Sequence, residues 1–165
     1  MKISGNVKWG IIGCGDVTEI KSGPAFNKVE NSQLVAVMRR NGELAADYAK
    51  RHGVPKWYDD ADHLINDPDI NAVYVATPPS THAEYTNKAL KAGKPVYVEK
   101  PMAMNATECQ EMVDTSKQTG IPLFVAYYRR SLPMFAKLKE LIDMSAIGDV
   151  KMINLILHLP AKTEE

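Results

Sequence analysis

Short apolar runs alternate with longer amphipathic stretches along this chain, and that alternation limits the folds open to it. Residues 8–13, 34–38, 72–76, 96–99 and 123–126 are mostly unbroken apolar segments rich in β-branched side chains. Runs of this length without polar alternation fit strands buried on both faces. Residues 16–29, 43–52, 81–92 and 106–119 carry helical patterns, and Gly53, Gly93 and Gly120 stand where three of them should stop. Thr81 with Glu84, and Asn105 with Glu108, approach the capping-box spacing. Pro24 predicts a kink or restart near residues 22–24. The repeated strand and helix order predicts an α/β fold: a Rossmann-type, doubly wound parallel sheet with right-handed crossovers. After Pro133 a last helix runs to about Ser145, and residues 150–159 read as a further strand.

The length of 165 residues, 45% of them apolar, suits one globular domain with a core of its own. Twenty Lys and Arg balance 20 Asp and Glu, so the charge offers no footprint for nucleic acid. No apolar run approaches the roughly 20 residues that cross a bilayer, so no membrane is expected. Residues 1–7 contain one Lys and no apolar core of a secretion signal, so a cytoplasmic protein is expected. Cys14 and Cys109 are too few for a disulfide framework or a metal site.

Gly13-Cys14-Gly15-Asp16-Val17-Thr18 joins the first strand to the first helix. In a dinucleotide-binding turn the first glycine allows the tight bend and the second lets a pyrophosphate approach the backbone. Thr18 stands at the third position, where Gly or Ala allows close helix–strand packing. A plain tight turn would need positive φ at one glycine and would leave the other unexplained. Gly13, Cys14, Gly15, Asp16 and Val17 are therefore candidate cofactor contacts. Cys14 has no basic neighbour in sequence to activate it, so its thiol is read as a small filler.

At the end of the second strand an acid would bind the ribose hydroxyls of NAD, but this chain has Met38-Arg39-Arg40-Asn41. Arg39 and Arg40 suit a 2′-phosphate through forked, charge-assisted hydrogen bonds, so NADP is expected in preference to NAD. The missing acid also argues against an S-adenosylmethionine enzyme.

Thr77-Pro78-Pro79 with His82, and Glu99-Lys100-Pro101, follow two further strands. Ligands of open α/β sheets lie beyond the carboxyl ends of strands, so both segments should border the nicotinamide half of a dinucleotide. Together with the glycine turn and the run from Ala92 to Pro101, they resemble the glucose-fructose oxidoreductase, inositol dehydrogenase and MocA family. The likeness spans residues 7 to about 159.

The resemblance implies that Lys100 is the catalytic lysine near the reacting hydroxyl, where an ammonium can stabilise an alkoxide as hydride leaves. It implies a cis Lys100-Pro101 bond, and a Glu99 that orients the lysine or the turn. Thr77, Pro78, Pro79 and His82 match a segment lining the dinucleotide, although His82 also reads as an exposed residue on a first helical turn. Arg130, after the last strand, is a candidate contact to the nicotinamide end or to a second domain. The family's second domain supplies the sugar-like substrate pocket, an Asp, and a His as proton acceptor.

On this reading residues 1–147 form the nucleotide domain and residues 148–165 begin the second one. The chain is then the N-terminal portion of a sugar or polyol oxidoreductase, incomplete for catalysis, and steady turnover of a sugar by it would refute that. The alternatives are a non-catalytic nucleotide-binding module, or a reductase of imines or non-sugar ketones. The apolar strand at residues 150–159 predicts self-association, so a homo-oligomer is expected.

Overall fold

The computed structural model describes residues 5–158. Six strands, β1 (Val7–Ile12), β2 (Ser32–Met38), β3 (Lys56–Tyr58), β4 (Ala72–Val75), β5 (Val96–Val98) and β6 (Leu123–Val125), form one sheet. All pairings are parallel and the order is β3-β2-β1-β4-β5-β6. The chain winds outward in both directions from β1, so the β1/β4 boundary is the switch point where such sheets open a crevice.

Helices α1 (Asp16–Ile20), α2 (Gly42–His52), α3 (Ala61–Asn66), α4 (His82–Lys91) and α5 (Ala106–Thr119) connect the strands. Ile11 and Ile12 are both fully buried yet belong to two different core clusters, as the period of two in a strand covered on each face requires. Tyr48 and Tyr74 fill the cluster around Ile11, while Leu64, Leu90 and Met112 fill the one around Ile12.

The expected helix over residues 16–29 is split. α1 ends at Ile20, and a 3-10 turn, Pro24–Asn27, follows. Pro24 prevents a continuous helix, and Gly23 lies so close to the Thr18 carbonyl and the Tyr48 hydroxyl that an added Cβ would meet each at 2.3 Å. Of the two expected capping boxes, one forms by half, with the reciprocal bond reaching the residue before the cap. Asn105 accepts a hydrogen bond from the Glu108 amide at 2.9 Å, and Glu108 accepts one from the Met104 amide at 3.1 Å. Thr81 caps nothing, because its hydroxyl bonds with Thr77 Oγ1 at 2.8 Å and the Pro78 carbonyl at 3.1 Å.

β3 and α3 were not legible as elements. β3 is a three-residue edge strand, Lys-Trp-Tyr, and α3 is six residues long with Asp60 as its cap.

The described residues divide into two compact units, with the break between Tyr127 and Tyr128, where the chain leaves β6. The second unit holds a 3-10 turn (Tyr128–Ser131) and helix α6 (Pro133–Asp143). The strand expected at 150–159 is absent from residues 150–158, where the chain runs irregular and exposed; Leu159 lies outside the described residues. A strand needs a neighbour for its backbone donors and acceptors, and no described residue pairs with this segment. Among the described residues no helix is long and apolar enough to cross a membrane.

Candidate functional site

The carboxyl ends of β1, β4 and β5 bring together most of the residues singled out by sequence. The Gly13 and Cys14 amides both donate to the Met38 carbonyl at the end of β2, at 2.8 and 3.1 Å, which folds the glycine turn across the strand ends. Gly13 has φ +93°, and a Cβ there would stand 2.7 Å from the Thr77 amide nitrogen and 2.9 Å from the Ala76 carbonyl carbon. Only glycine both adopts that backbone and admits the neighbouring loop so closely.

Gly15 has a different explanation. Its φ of −150° is open to any residue, and an added Cβ would meet nothing within 4 Å. Neither conformation nor packing among the described residues calls for glycine there, so the space above its backbone fits a ligand that must approach closely. Asp16 and Val17, both exposed, occupy the first positions of α1, whose amides have no carbonyl to reach within the helix.

Thr18 at the third position is fully buried. Its hydroxyl donates to the Gly15 carbonyl at 2.8 Å and accepts from the Gly15 amide at 3.0 Å, fastening the turn to the first helical residues. Cys14 is buried in the core beside Tyr48 and Tyr74, and burial pushes its thiol up to about 11, against the lowering influence of Arg39. A thiol so held is not a nucleophile at neutral pH.

Arg39 and Arg40 are exposed at the end of β2, and neither guanidinium has a hydrogen-bond or ion-pair partner among the described residues. Asn41 caps α2 instead, accepting from the Leu44 amide at 3.1 Å. Asp59, at the end of the strand that sequence reading missed, stands beside this mouth: a Cβ on Gly42 would meet its Oδ2 at 3.7 Å.

The Glu99-Lys100-Pro101 turn follows β5, and its Lys100-Pro101 bond is cis. Glu99 accepts from the Tyr74 hydroxyl at 2.6 Å and from the Lys100 amide at 3.1 Å. Tyr74 is fully buried and stacks on Tyr97 at 5.5 Å between centroids; burial and the Glu99 carboxylate raise its pKa. Glu99 thus orients the turn through backbone and tyrosine, and not through the lysine side chain. Lys100 is exposed, and its ammonium pairs with no described carboxylate.

His82 is not the exposed residue that one reading allowed. It is 1% exposed, with Nε2 2.7 Å from the Thr77 carbonyl oxygen and Nδ1 2.9 Å from that of Pro101. Any part it plays toward a dinucleotide passes through those loops, because both ring nitrogens already face protein atoms. Pro78 is exposed and Pro79 half-buried on the Thr77 loop. Arg130 belongs to the second unit, exposed in its 3-10 turn.

A separate open groove of about 370 Å³ lies between α4 and α5, lined by Asn87, Lys91, Glu111, Asp114, Thr115 and Gln118. It follows helix bodies and lies away from the strand ends that carry these motifs. Among the described residues no cluster of three or more His, Cys, Asp or Glu is arranged to hold a metal.

Comparison with known proteins agrees with this geometry. Residues 7–127 match the family model described as oxidoreductase family, NAD-binding Rossmann fold. An oxidoreductase from Formosa agariphila is 52% identical over 164 residues, covering 96% of this chain and 51% of the relative. The trans-1,2-dihydrobenzene-1,2-diol dehydrogenase of Xenopus tropicalis is 34% identical, covering 88% of this chain and 44% of its own length.

Among solved structures, a Lactobacillus casei scyllo-inositol dehydrogenase with bound NAD(H) and scyllo-inositol superposes with a TM-score of 0.80 at 26% identity. That match covers 87% of this chain and 43% of the other. A 3-ketoreductase from Actinomadura kijaniata in complex with TDP-benzene and NADP gives 0.79 at 25% identity, covering 88% and 45%. The chain spans about half the length of these relatives. With its glycine turn, its Glu-Lys-Pro turn and the match over residues 7–127, the chain belongs to the glucose-fructose oxidoreductase, inositol dehydrogenase and MocA family of oxidoreductases.

Proposed function

We propose that this chain is the nucleotide-binding part of an NADP-preferring oxidoreductase that moves hydride between a nicotinamide and a hydroxyl or ketone carbon of a sugar or polyol. The observation that carries the proposal is the exposed, unpaired Lys100 on the same sheet end as the open space over Gly15. A bound nicotinamide dinucleotide supplies or accepts the hydride. The backbone of residues 13–17 holds the pyrophosphate, and Thr77, Pro78 and Pro79 flank the nicotinamide half. Lys100 donates a hydrogen bond to the reacting oxygen and stabilises the negative charge that grows there.

Replacing Lys100 by Ala in the full-length protein should lower hydride transfer by about 10²–10³-fold, the usual cost of losing one such donor. Dinucleotide affinity should hardly change. Hydride transfer that survives the substitution would favour a non-catalytic nucleotide module. A reductase of imines or other ketones shares this half, and a substrate survey on the full-length protein separates it from the sugar reading.

Arg39 and Arg40 support NADP, since two unpaired guanidinium groups beside the adenosine end match a 2′-phosphate. Asp59 favours a second reading, in which an acid from the neighbouring strand end binds the ribose hydroxyls of NAD. Titration with NADPH and NADH decides between them. Tighter NADPH binding that Arg39→Ala abolishes is expected, and tighter NADH binding overturns the preference.

Self-association rests on exposed apolar side chains at Ile153, Leu155, Ile156 and Leu157. Light scattering that finds a clean monomer would remove it.

A further inference from the structure

The one buried histidine among the described residues does no chemistry in the reading above, yet it joins the two loops that flank the reacting centre. His82 opens α4, and its ring lies between the carbonyl oxygens of Thr77 and Pro101, 2.7 Å from Nε2 and 2.9 Å from Nδ1. Both partners can only accept. A neutral imidazole carries one N–H, so it donates to one carbonyl and turns a lone pair to the other; donating to both takes a proton on each nitrogen.

The attachment points matter more than the ring. Thr77 belongs to the loop that an added Cβ on Gly13 would strike, and Pro101 directly follows Lys100. The backbone of the Lys100 turn is otherwise tied by Glu99, which Tyr74 holds from the core side. Glu99 fixes where the turn leaves β5, and His82 fixes its distance from the loop after β4.

We infer that His82 is a positioning residue: its ring, bridging the Thr77 and Pro101 carbonyls, sets the gap between the β4 loop and the turn carrying Lys100. That gap is where the nicotinamide half of a dinucleotide sits on the reading proposed above, and the inference rests on that reading. The side chain touches neither cofactor nor substrate. Its effect is confined to one half of the ligand, which a general packing role would not be.

The test compares two probes on the 165-residue chain: NADPH, which spans both halves of the site, and 2′,5′-ADP, which occupies only the adenosine half. His82→Leu keeps an apolar filler and loses both contacts, while His82→Gln keeps one donor. Wild-type chain should bind both probes. His82→Leu should weaken NADPH roughly tenfold, the scale of one lost hydrogen bond, and leave 2′,5′-ADP unchanged, with His82→Gln between. If His82→Leu unfolds, the same NADPH-selective weakening in His82→Gln carries the test.

Unchanged NADPH affinity in both variants, or equal weakening of both probes, overturns the inference. Wild-type chain that binds neither probe refutes the dinucleotide reading itself, an outcome distinct from the other two.

Discussion

Lys56 and Lys94 at the amino end of the sheet and Lys100 at its carboxyl end meet opposite fates. At the amino end, Lys56 donates to Asp67 at 2.8 Å and to Asp69 at 2.7 Å, and Lys94 donates to the carbonyls of Asp67 and Ile70 at 2.5 and 2.8 Å. At the carboxyl end, Lys100 has no carboxylate partner, and neither do Arg39 and Arg40, among the described residues. Lys56 and Lys94 tie α3, β3, β4 and β5 together. Lys100, Arg39 and Arg40 stay in solvent, where a charged group costs little and remains available to an anion. Charge composition cannot tell these lysines apart; their positions relative to strand direction can.

The contrast is sharpest at Asp67, which is 6% exposed. Asp67→Ala strips a carboxylate from Lys56 and Tyr58 and should cost about 1–3 kcal/mol, the scale of lost charge-assisted hydrogen bonds, because Lys56 is part-exposed and keeps Asp69. Urea denaturation measures it.

The glycine turn offers a second contrast within one loop. Gly13→Ala should cost upward of about 1–2 kcal/mol from the left-handed backbone alone, with the approach to Thr77 adding to it. Gly15→Ala should leave the unfolding midpoint nearly unchanged. Equal destabilisation by both would erase the distinction between a glycine needed by the fold and one needed by a ligand.

Acid should act on the amino end. Burial alone would raise the Asp67 pKa, but hydrogen bonds from Lys56, the Asp69 amide and Tyr58 outweigh it and hold the carboxyl down at about 2. A carboxyl depressed by folding stabilises the native state above its unfolded value of about 3.9, and that contribution is lost as pH falls toward about 2. Glu19 titrates in the same direction, held at about 2 by its Arg51 hydrogen bond. Stability measured from pH 5 downward should therefore fall, and Asp67→Asn should flatten part of that fall.

Lys100→Ala should change stability least, within about 0.5 kcal/mol, as for surface substitutions elsewhere. A larger loss would mean that the lysine serves the fold.

Much of this organisation was legible in the chain order. Five apolar runs mark β1, β2, β4, β5 and β6, and the expected helix at residues 106–119 coincides with α5. The losses have physical reasons. β3 is a three-residue edge strand, too short to show a run or an alternation, and with it went Asp59, the acid near Arg39 and Arg40. Residues 150–158 have strand-forming side chains but no described neighbour to pair with, and side-chain preference alone does not make a strand.

His82 hid for another reason. A histidine on a first helical turn carries no periodic mark of burial, and its partners are carbonyls 5 and 19 residues away. Proline and threonine runs around it were the available signal, because they announce a loop whose backbone needs fastening. Thr18 likewise read as a flawed third position, whereas its hydroxyl supplies two of the hydrogen bonds that fasten the turn.

The claim on which the rest depends is that the space over Gly15 belongs to a dinucleotide. The most direct measurement is a fluorescence titration of NADPH into the 165-residue chain and into Gly15→Val, with melting curves run alongside. The account predicts saturable binding by the wild-type chain, and a variant that melts like it but no longer binds. Equal binding by both proteins, or none by the wild type, would contradict it.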